Sequence, residues 1–281
     1  MMMVWQLERI LAKPFDWILA PFAALHPLVP LALVSLLASL ILLLAFRWFS
    51  NQDQLRQTKD RIHAHFLELR LFRHDVSVIW QAEKQILRYN LVYLKHLVKP
   101  LLVTLPVLAW FLIALEPWFS SRPLRVGEAA VLSVFVKPEE VRRLGDVRLA
   151  ADDGVEVETP ALRIVDENRA DWRIRALAEG EHDLELVLGG AQPDHFRKRV
   201  LVSGQRVAWA ARSLSGTGLL AGFQNSREAP LPTTAGISRI EIDYPPAQIR
   251  LGGWEINWVV GFLVLSLIFA FLLKRPMGLV L

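Results

Sequence analysis

Several groups of residues in this 281-residue chain have types that could do chemistry, beginning with four histidines in one segment. They are His63, His65, His74 and His96. On a helix, two side chains that are two residues apart point about 200° away from each other, so His63 and His65 cannot bind one metal ion. We therefore predict solvated helix histidines and no metal site.

Carboxylates and glycines also form groups, but their contexts do not fit catalysis. Paired acids occur at 139–140 and 152–153 in turn-like contexts, where exposed loop acids are the ordinary interpretation. The glycine-containing segments 203–204 and 213–218 lack the lysine and the strand-to-helix context of a phosphate-binding loop. The absence of cysteine excludes disulfides, thiolate metal sites and cysteine nucleophiles. We expect a protein that is not an enzyme and has no catalytic residue and no cofactor.

The most informative polar residues lie inside or beside long apolar stretches. Burying a polar group in lipid is costly unless it faces protein or water. We therefore predict that Ser35, Ser39 and Thr104 line a polar groove, with Arg47 and Lys99 at its mouth. Ordinary helix packing is the alternative for the three hydroxyl residues, because helical Ser and Thr also bond their own backbone.

The elements that carry these residues are predicted to be membrane helices. Hydrophobic residues make up 53% of the chain and charged residues 21%, which favours a protein with both membrane and aqueous parts. Three stretches are long and apolar enough for the roughly 30 Å hydrocarbon core. We predict transmembrane helices at 27–46, 101–119 and 254–273, and the wholly apolar part of the third is the shortest.

The distribution of charge predicts the orientation of these helices. Segment 47–100 has ten basic and five acidic residues, and the tail 274–281 begins with Lys274 and Arg275. Cytoplasmic segments retain Lys and Arg, so both are predicted to be cytoplasmic, with the N-terminus outside and the C-terminus inside. Segment 120–253, with 18 basic and 19 acidic residues, then lies outside. We expect an integral protein of the bacterial inner membrane.

The two segments that flank the first predicted span have helical patterns. Apolar residues recur at helical spacing within 1–26, which predicts an amphipathic helix along the outer face of the bilayer. Segment 47–100 is predicted to be a helical hairpin with a break at 73–75 and with Asp75 as the cap of its second helix. Heptad spacing predicts the packing seam of that second helix, formed by Ile79, Ile86 and Tyr93 together with Trp80, Leu87 and Leu94. A thinner stripe on the first helix is predicted to pack against it, formed by Leu55, Ile62, Phe66 and Leu69.

The outer segment 120–253 changes from helical to strand-like spacing. Six short apolar runs begin at Ala130, Val147, Trp172, His182, Arg197 and Ile237. Turn signals separate them, which predicts an antiparallel β-sandwich. The sequence WRIRALAEGEHDLELVLGG is similar to the paired strands and corner of immunoglobulin-like modules. The fold class is therefore predicted to be an α+β membrane protein.

The order of these elements resembles the YidC/Oxa/Alb membrane-insertase superfamily, especially its minimal three-span members, among them archaeal proteins and an insertase subunit of the endoplasmic-reticulum membrane complex. The resemblance covers about residues 4–119 and the last span, and rests on FDWILAPFAALHP, on RWFSNQDQLRQTKDRIHAHFLELR and on the span after YLKHLVKP. Two features depart from the family pattern. Bacterial YidC proteins carry an arginine inside the groove, whereas here the nearest basic residue is Arg47, at the end of the span. The outer domain of about 130 residues is an insertion.

The resemblance implies a non-enzymatic insertase or membrane chaperone whose partners are the lipid bilayer, nascent membrane proteins and the ribosome. The alternative is an envelope adaptor, whose outer sandwich binds an envelope protein while the hairpin binds a cytoplasmic one. A polar groove that faces lipid favours the insertase, and a closed helix bundle with an exposed apolar patch on the outer domain favours the adaptor. The sequence leaves the oligomeric state open.

Overall fold

The computed structural model combines helices with antiparallel sheets. It describes residues 14–15, 17–72, 74–190, 193–205, 213–215, 228, 231–232, 234–251 and 253–279. The chain divides into two compact units, one formed by Met1–Leu31 and Leu112–Trp258, the other by Ala32–Phe111 and Val259–Leu281. Most of the predicted amphipathic helix 1–26 lies outside the described residues, although Pro14, Phe15 and 17–19 are helical.

Four long helices are bounded in the described part of the chain. They are α1 (Leu28–Phe49), α2 (Gln52–Leu71), α3 (Val76–Phe119) and α4 (Trp258–Lys274). By length and composition, α1 and α3 are able to cross a membrane. Helix α4 is apolar but has 17 residues, which gives a length of about 26 Å.

Side-chain caps fix the starts of the two hairpin helices. Asn51 accepts a hydrogen bond from the backbone of Gln54 at 3.1 Å in front of α2. Asp75 Oδ1 accepts from the backbone nitrogens of Ser77 at 2.9 Å and Val78 at 3.3 Å in front of α3. The hydroxyl of Ser77 also donates to this carboxylate, and these bonds lower the pKa of Asp75. The predicted break and the predicted cap at Asp75 are confirmed.

Helix α3 continues for 44 residues through the boundary predicted between the hairpin and the second span. Pro100 and Pro106 both lie within it. The predicted segments 47–100 and 101–119 are therefore joined by one continuous helix.

Helix α2 packs on one face of α3. The ring of His65 stacks on Tyr89 with centroids 5.6 Å apart, and the guanidinium of Arg61 lies 5.5 Å from the centre of the same ring. Ala82 of α3 and Leu55 of α2 are buried. This contact uses the face of α3 that carries Ala82 and Tyr89.

Half of the predicted seam of α3 is wrong, because α2 does not cover it. Ile79, Ile86 and Tyr93 are half-buried. The neighbouring row is exposed to 71%, 64% and 58% of its surface, at Trp80, Leu87 and Leu94. Phe66 of α2, which was also predicted to pack, is 53% exposed. This part of the helix has two apolar faces, and among the described residues α2 covers only the face with Ala82 and Tyr89.

The start of the last helix also differs from the predicted span 254–273. Strands β10 (Ile249–Leu251) and β11 (Trp254–Ile256) pair as an antiparallel hairpin, so the helix starts only at Trp258. Gly253 adopts φ of 91° in the turn between them, a conformation that glycine adopts without strain. The aromatic and branched residues that resembled the start of a span form a strand instead.

The strands of segment 120–253 form two larger antiparallel sheets, which together make up the two-sheet domain. Their bounds are β1 Ala129–Val136, β2 Val147–Ala151, β3 Val155–Val157, β4 Leu162–Ile164, β5 Arg169–Ala176, β6 Gly180–Leu188, β7 Asp194–Val202, β8 Ser213–Ser215 and β9 Ile237–Ile242. One sheet has the order β3-β5-β1-β9-β8, with β4 also paired to β5, and the other has the order β2-β6-β7. Each of the six predicted apolar runs begins in a strand.

Residues from both sheets contribute to one hydrophobic core. Along β1, alternate residues are buried because successive side chains of a strand point to opposite faces. Trp172 of β5, Leu186 of β6 and Ile240 of β9 are at most 4% exposed within the same core. The apolar residues that recur every second position in this segment are therefore the ones buried between the two sheets.

Candidate functional site

Helices α1 and α4 contact each other through hydroxyl groups. Ser35 Oγ donates to the backbone carbonyl of Phe262 at 3.4 Å. Ser39 Oγ lies 2.8 Å from the carbonyl of Ser266 and 2.7 Å from the carbonyl of Ser35 in its own helix. The sequence separation is 227 residues in both interhelical bonds, so the two helices run parallel.

The sequence of α1 favours this close contact. Ser35 and Ser39 are one helical turn apart, and small side chains at this spacing let two backbones approach. Both serines and Ala38 are at most 1% exposed. Ser35 and Ser39 were both predicted to line a groove. Their hydroxyls instead bond across the α1–α4 contact, as in the alternative of ordinary helix packing.

Thr104, the third predicted groove residue, has a different environment. Its hydroxyl donates to the carbonyl of Leu101 in its own helix at 3.2 Å, and its side chain is partly exposed. In the fully described stretch 101–110 of α3, no residue is buried. Helix α3 contacts α4 further along, where the buried ring of Phe111 stacks on Phe262 with centroids 6.3 Å apart.

The two predicted mouth residues are both exposed, and they differ in their surroundings. Arg47, near the end of α1, donates to the backbone carbonyl of Met277 at 3.3 Å. Lys99 lies on the exposed side of α3, immediately before the apolar half of the helix. The charge of Lys99 is therefore accessible next to the unburied stretch 101–110.

Two residues of this region were not predicted as site residues. Phe262 is fully buried and contacts both Ser35 and Phe111, so it is the point where α1, α3 and α4 meet. Ser266 is 8% exposed, and its hydroxyl has no hydrogen-bond partner among the described residues. Ser266 could have been noticed in the sequence as a serine within an otherwise apolar run. The contacts of Phe262 could not, because they depend on which helices pair.

The two-sheet domain contains a buried ion pair that was not predicted from the sequence. Lys198 Nζ lies 2.7 Å from Glu228 Oε2, and the other carboxylate oxygen of Glu228 accepts from the backbone nitrogen of Arg199 at 2.9 Å. Lys198 is 0% and Glu228 8% exposed. Burial lowers the pKa of Lys198, and the carboxylate of Glu228 opposes this shift. The alternation of buried and exposed residues along β7 could have indicated that Lys198 is buried, because Lys198 lies at an inward position between Phe196 and Val200.

A cleft of about 540 Å³ lies beside the ends of α3 and β10. Its lining includes Trp118, Arg122, Arg125 and Gln248. Arg122 forms two hydrogen bonds with the carboxylate of Glu128, at 2.7 and 2.9 Å, and this contact lowers the pKa of Glu128. The charge of Arg122 is thus already neutralised by a neighbouring side chain.

The site therefore consists of a sealed contact between α1 and α4, and of an accessible stretch of α3 that follows Lys99. Within the described ranges, no group of three or more His, Asp or Glu side chains is arranged to hold a metal ion. Comparison with known proteins gives no match to a family model and no significant match to a curated protein.

Proposed function

We propose that this chain is a three-span protein of the bacterial inner membrane with its N-terminus outside and its C-terminus in the cytoplasm. Helices α1, α3 and α4 are the spans. The parallel course of α1 and α4 supports this topology, because the first and third of three successive spans cross in the same direction. The ten basic residues of the hairpin support its cytoplasmic location.

Its activity is that of a non-enzymatic membrane-protein insertase or membrane chaperone of the YidC/Oxa/Alb type. The observation that carries this proposal is the unburied stretch 101–110 of α3, which contrasts with the buried serines of α1. A client helix that enters beside this stretch packs against α3 before it is released into lipid. Thr104 offers the client a hydroxyl, which lowers the cost of bringing a polar segment out of water.

The charged part of the proposed path is the end of the hairpin next to the membrane. Lys99 is exposed at this level, and Arg47 carries a second positive charge at the end of α1. These charges attract acidic client segments, and the basic hairpin contacts nascent chains or the ribosome.

The outer domain is an immunoglobulin-like sandwich in this proposal, supported by two antiparallel sheets that share one core. Its exposed apolar residues favour a second candidate function, that of an envelope adaptor. Leu162 of β4 and Val165 beside it are each 62% exposed. In the adaptor function, these residues bind an envelope protein, and the change Leu162→Ser weakens that binding without affecting client insertion.

Thr104→Val tests the insertase function with little disturbance to packing, because Thr104 bonds its own helix through Leu101. The matched control is Thr58→Val on α2, where the hydroxyl also bonds its own helix, at Gln54. Client insertion in cells is expected to fall several-fold with Thr104→Val and to stay at the wild-type rate with Thr58→Val. Equal insertion by the two variants at normal protein levels contradicts the proposal.

Charge reversal provides a second, independent test of the insertase function. Lys99→Glu reverses the charge at the mouth, and the control Arg70→Glu reverses a charge in the last turn of α2, at the other end of the hairpin. We expect only Lys99→Glu to slow the insertion of clients with acidic segments, and more strongly at low salt, because exposed charges are screened. Ser35 and Ser39 are less useful for this test, since their replacement alters the contact with α4.

A further inference from the structure

A stripe of exposed residues on the aqueous half of α3 repeats with heptad spacing. Steps of four and three residues alternate along it, which places its members at the a and d positions of a coiled coil. In chain order, they are Trp80, Lys84, Leu87, Leu91, Leu94 and Val98. The five apolar members are between 46% and 71% exposed. Helix α2 occupies the face with Ala82 and Tyr89, so this stripe is a second face of α3.

We propose that this stripe binds the same stripe of a second copy of the chain, so that two α3 helices form a parallel coiled coil on the cytoplasmic side. The inference uses the membrane topology but does not depend on insertase activity.

The charges beside the stripe complement themselves in a parallel pair. Glu83 occupies a g position and Arg88 the e position five residues further on. In a parallel coiled coil, residues with this relation face each other across the interface, so Glu83 of each copy meets Arg88 of the other. An antiparallel pair instead brings the e residues Arg88 and Lys95 close to each other. The exposed charges therefore favour the parallel arrangement.

The membrane imposes the same orientation. Helix α3 passes from the stripe into its apolar half without a break, so two copies related by a twofold axis along the membrane normal have parallel α3 helices. The same continuity argues against the bilayer surface as the occupant. The part of α3 before Pro100 extends about 36 Å from the start of its apolar half and cannot lie flat on the membrane.

The apolar area of the stripe and its one polar residue are also consistent with a specific dimer of two α3 helices. The exposed apolar surface amounts to on the order of 1,000 Å² over two copies, close to the lower limit of specific interfaces. Lys84 is the one polar residue at the a and d positions of this stripe, and such a residue specifies register and oligomeric state. In the parallel pair, Lys84 lies next to Glu83 of the second copy.

The sequence contains no cysteine, so any disulfide crosslink between two copies must come from an introduced cysteine. Single changes Leu91→Cys at an a position and Leu94→Cys at a d position are made in the full chain, with Val92→Cys at a b position as the matched control. After oxidation in native membranes, the first two are expected to give a disulfide-linked product of twice the 31.9 kDa chain, at least several-fold more than the control. Accessibility of each cysteine is measured by maleimide labelling.

Charge exchange tests the same pair without relying on disulfide geometry. In the Leu91→Cys background, Glu83→Arg and Arg88→Glu are each expected to reduce the crosslinked product several-fold, and the double exchange is expected to restore it. Absence of a crosslinked dimer from both Leu91→Cys and Leu94→Cys, in protein whose introduced cysteines react with maleimide, overturns the proposal, as does an equal yield from Val92→Cys. A crosslinked product of a different mass identifies another protein as the occupant and also overturns it.

Discussion

Removing the carboxylate from the buried ion pair of the two-sheet domain is predicted to lower its stability by a definite amount. In Glu228→Gln, the amide oxygen can still accept the backbone hydrogen bond of Arg199, but Lys198 loses the counter-charge that lies 2.7 Å from its ammonium group. Lys198 is 0% exposed, so the loss of this negative charge is not compensated by water. Breaking such a pair costs about 3–5 kcal/mol of unfolding free energy. We expect the lower end, about 3 kcal/mol, because the backbone bond is retained.

The dependence on pH distinguishes this cause from a loss of packing. Burial lowers the pKa of Lys198 in the folded state, and loss of Glu228 removes the opposing effect. Between the lowered folded value and the unfolded value of about 10.4, the unfolded chain binds more protons, so stability rises with pH. The deficit of Glu228→Gln relative to wild type should therefore shrink as the pH is raised from about 7 towards 10.

Urea unfolding of the two-sheet domain measures this effect, with tryptophan fluorescence, to which the buried Trp172 contributes, as the signal. A loss of about 3 kcal/mol moves the midpoint by about 1–3 M urea. The control Glu181→Gln removes a surface partner of Arg199 and should cost less than about 1 kcal/mol. Replacing both Lys198 and Glu228 by Met should restore most of the stability. A small effect of Glu228→Gln, or a large deficit that does not change with pH, refutes the reasoning.

Three further predictions concern the topology and the two-sheet domain. Of single cysteines introduced at Gln57 and Glu156, only the one at Glu156 should react with an impermeant reagent on intact cells, and the reverse result contradicts the orientation. A fragment of residues 122–250 should fold alone with a β-rich circular dichroism spectrum and a cooperative melt, and a helical spectrum rejects the two-sheet domain. The lowered pKa of Glu128 stabilises the fold above its unfolded value of about 4.3, and this contribution is lost as the pH falls through the folded value. Glu128→Gln should therefore flatten the loss of stability below about pH 4.3, whereas an unchanged acid profile contradicts a role for its arginine partner.

The sequence predicted the elements whose signal is local. Alternating apolar and polar residues indicated all six longer strands, because the core of the two-sheet domain lies on one face of each sheet. Asp75 was recognised as a cap because capping depends only on the next three residues. The five strands of three residues, β3, β4, β8, β10 and β11, were missed since three residues are too few to display a period.

Features that depend on distant pairing could not be predicted from local pattern. The apolar residues on two faces of α3 did not reveal which face α2 covers, so the row with Trp80 was assigned to the wrong contact. The polarity of Ser35 and Ser39 was evident, but their partners on α4 are 227 residues away. Glu228 lies 30 residues from Lys198, and nothing in the intervening sequence indicates that they meet.

Insertion of a client into liposomes that contain only this protein tests the proposed function most directly. Purified full-length chain is reconstituted, and a client with a short acidic translocated tail is supplied from the hairpin side. Protease protection of that tail should exceed the value for empty liposomes several-fold, fall with Thr104→Val, and remain unchanged with Thr58→Val. Protection equal to that of empty liposomes, by a protein that retains its helical circular dichroism spectrum, would contradict the insertase function.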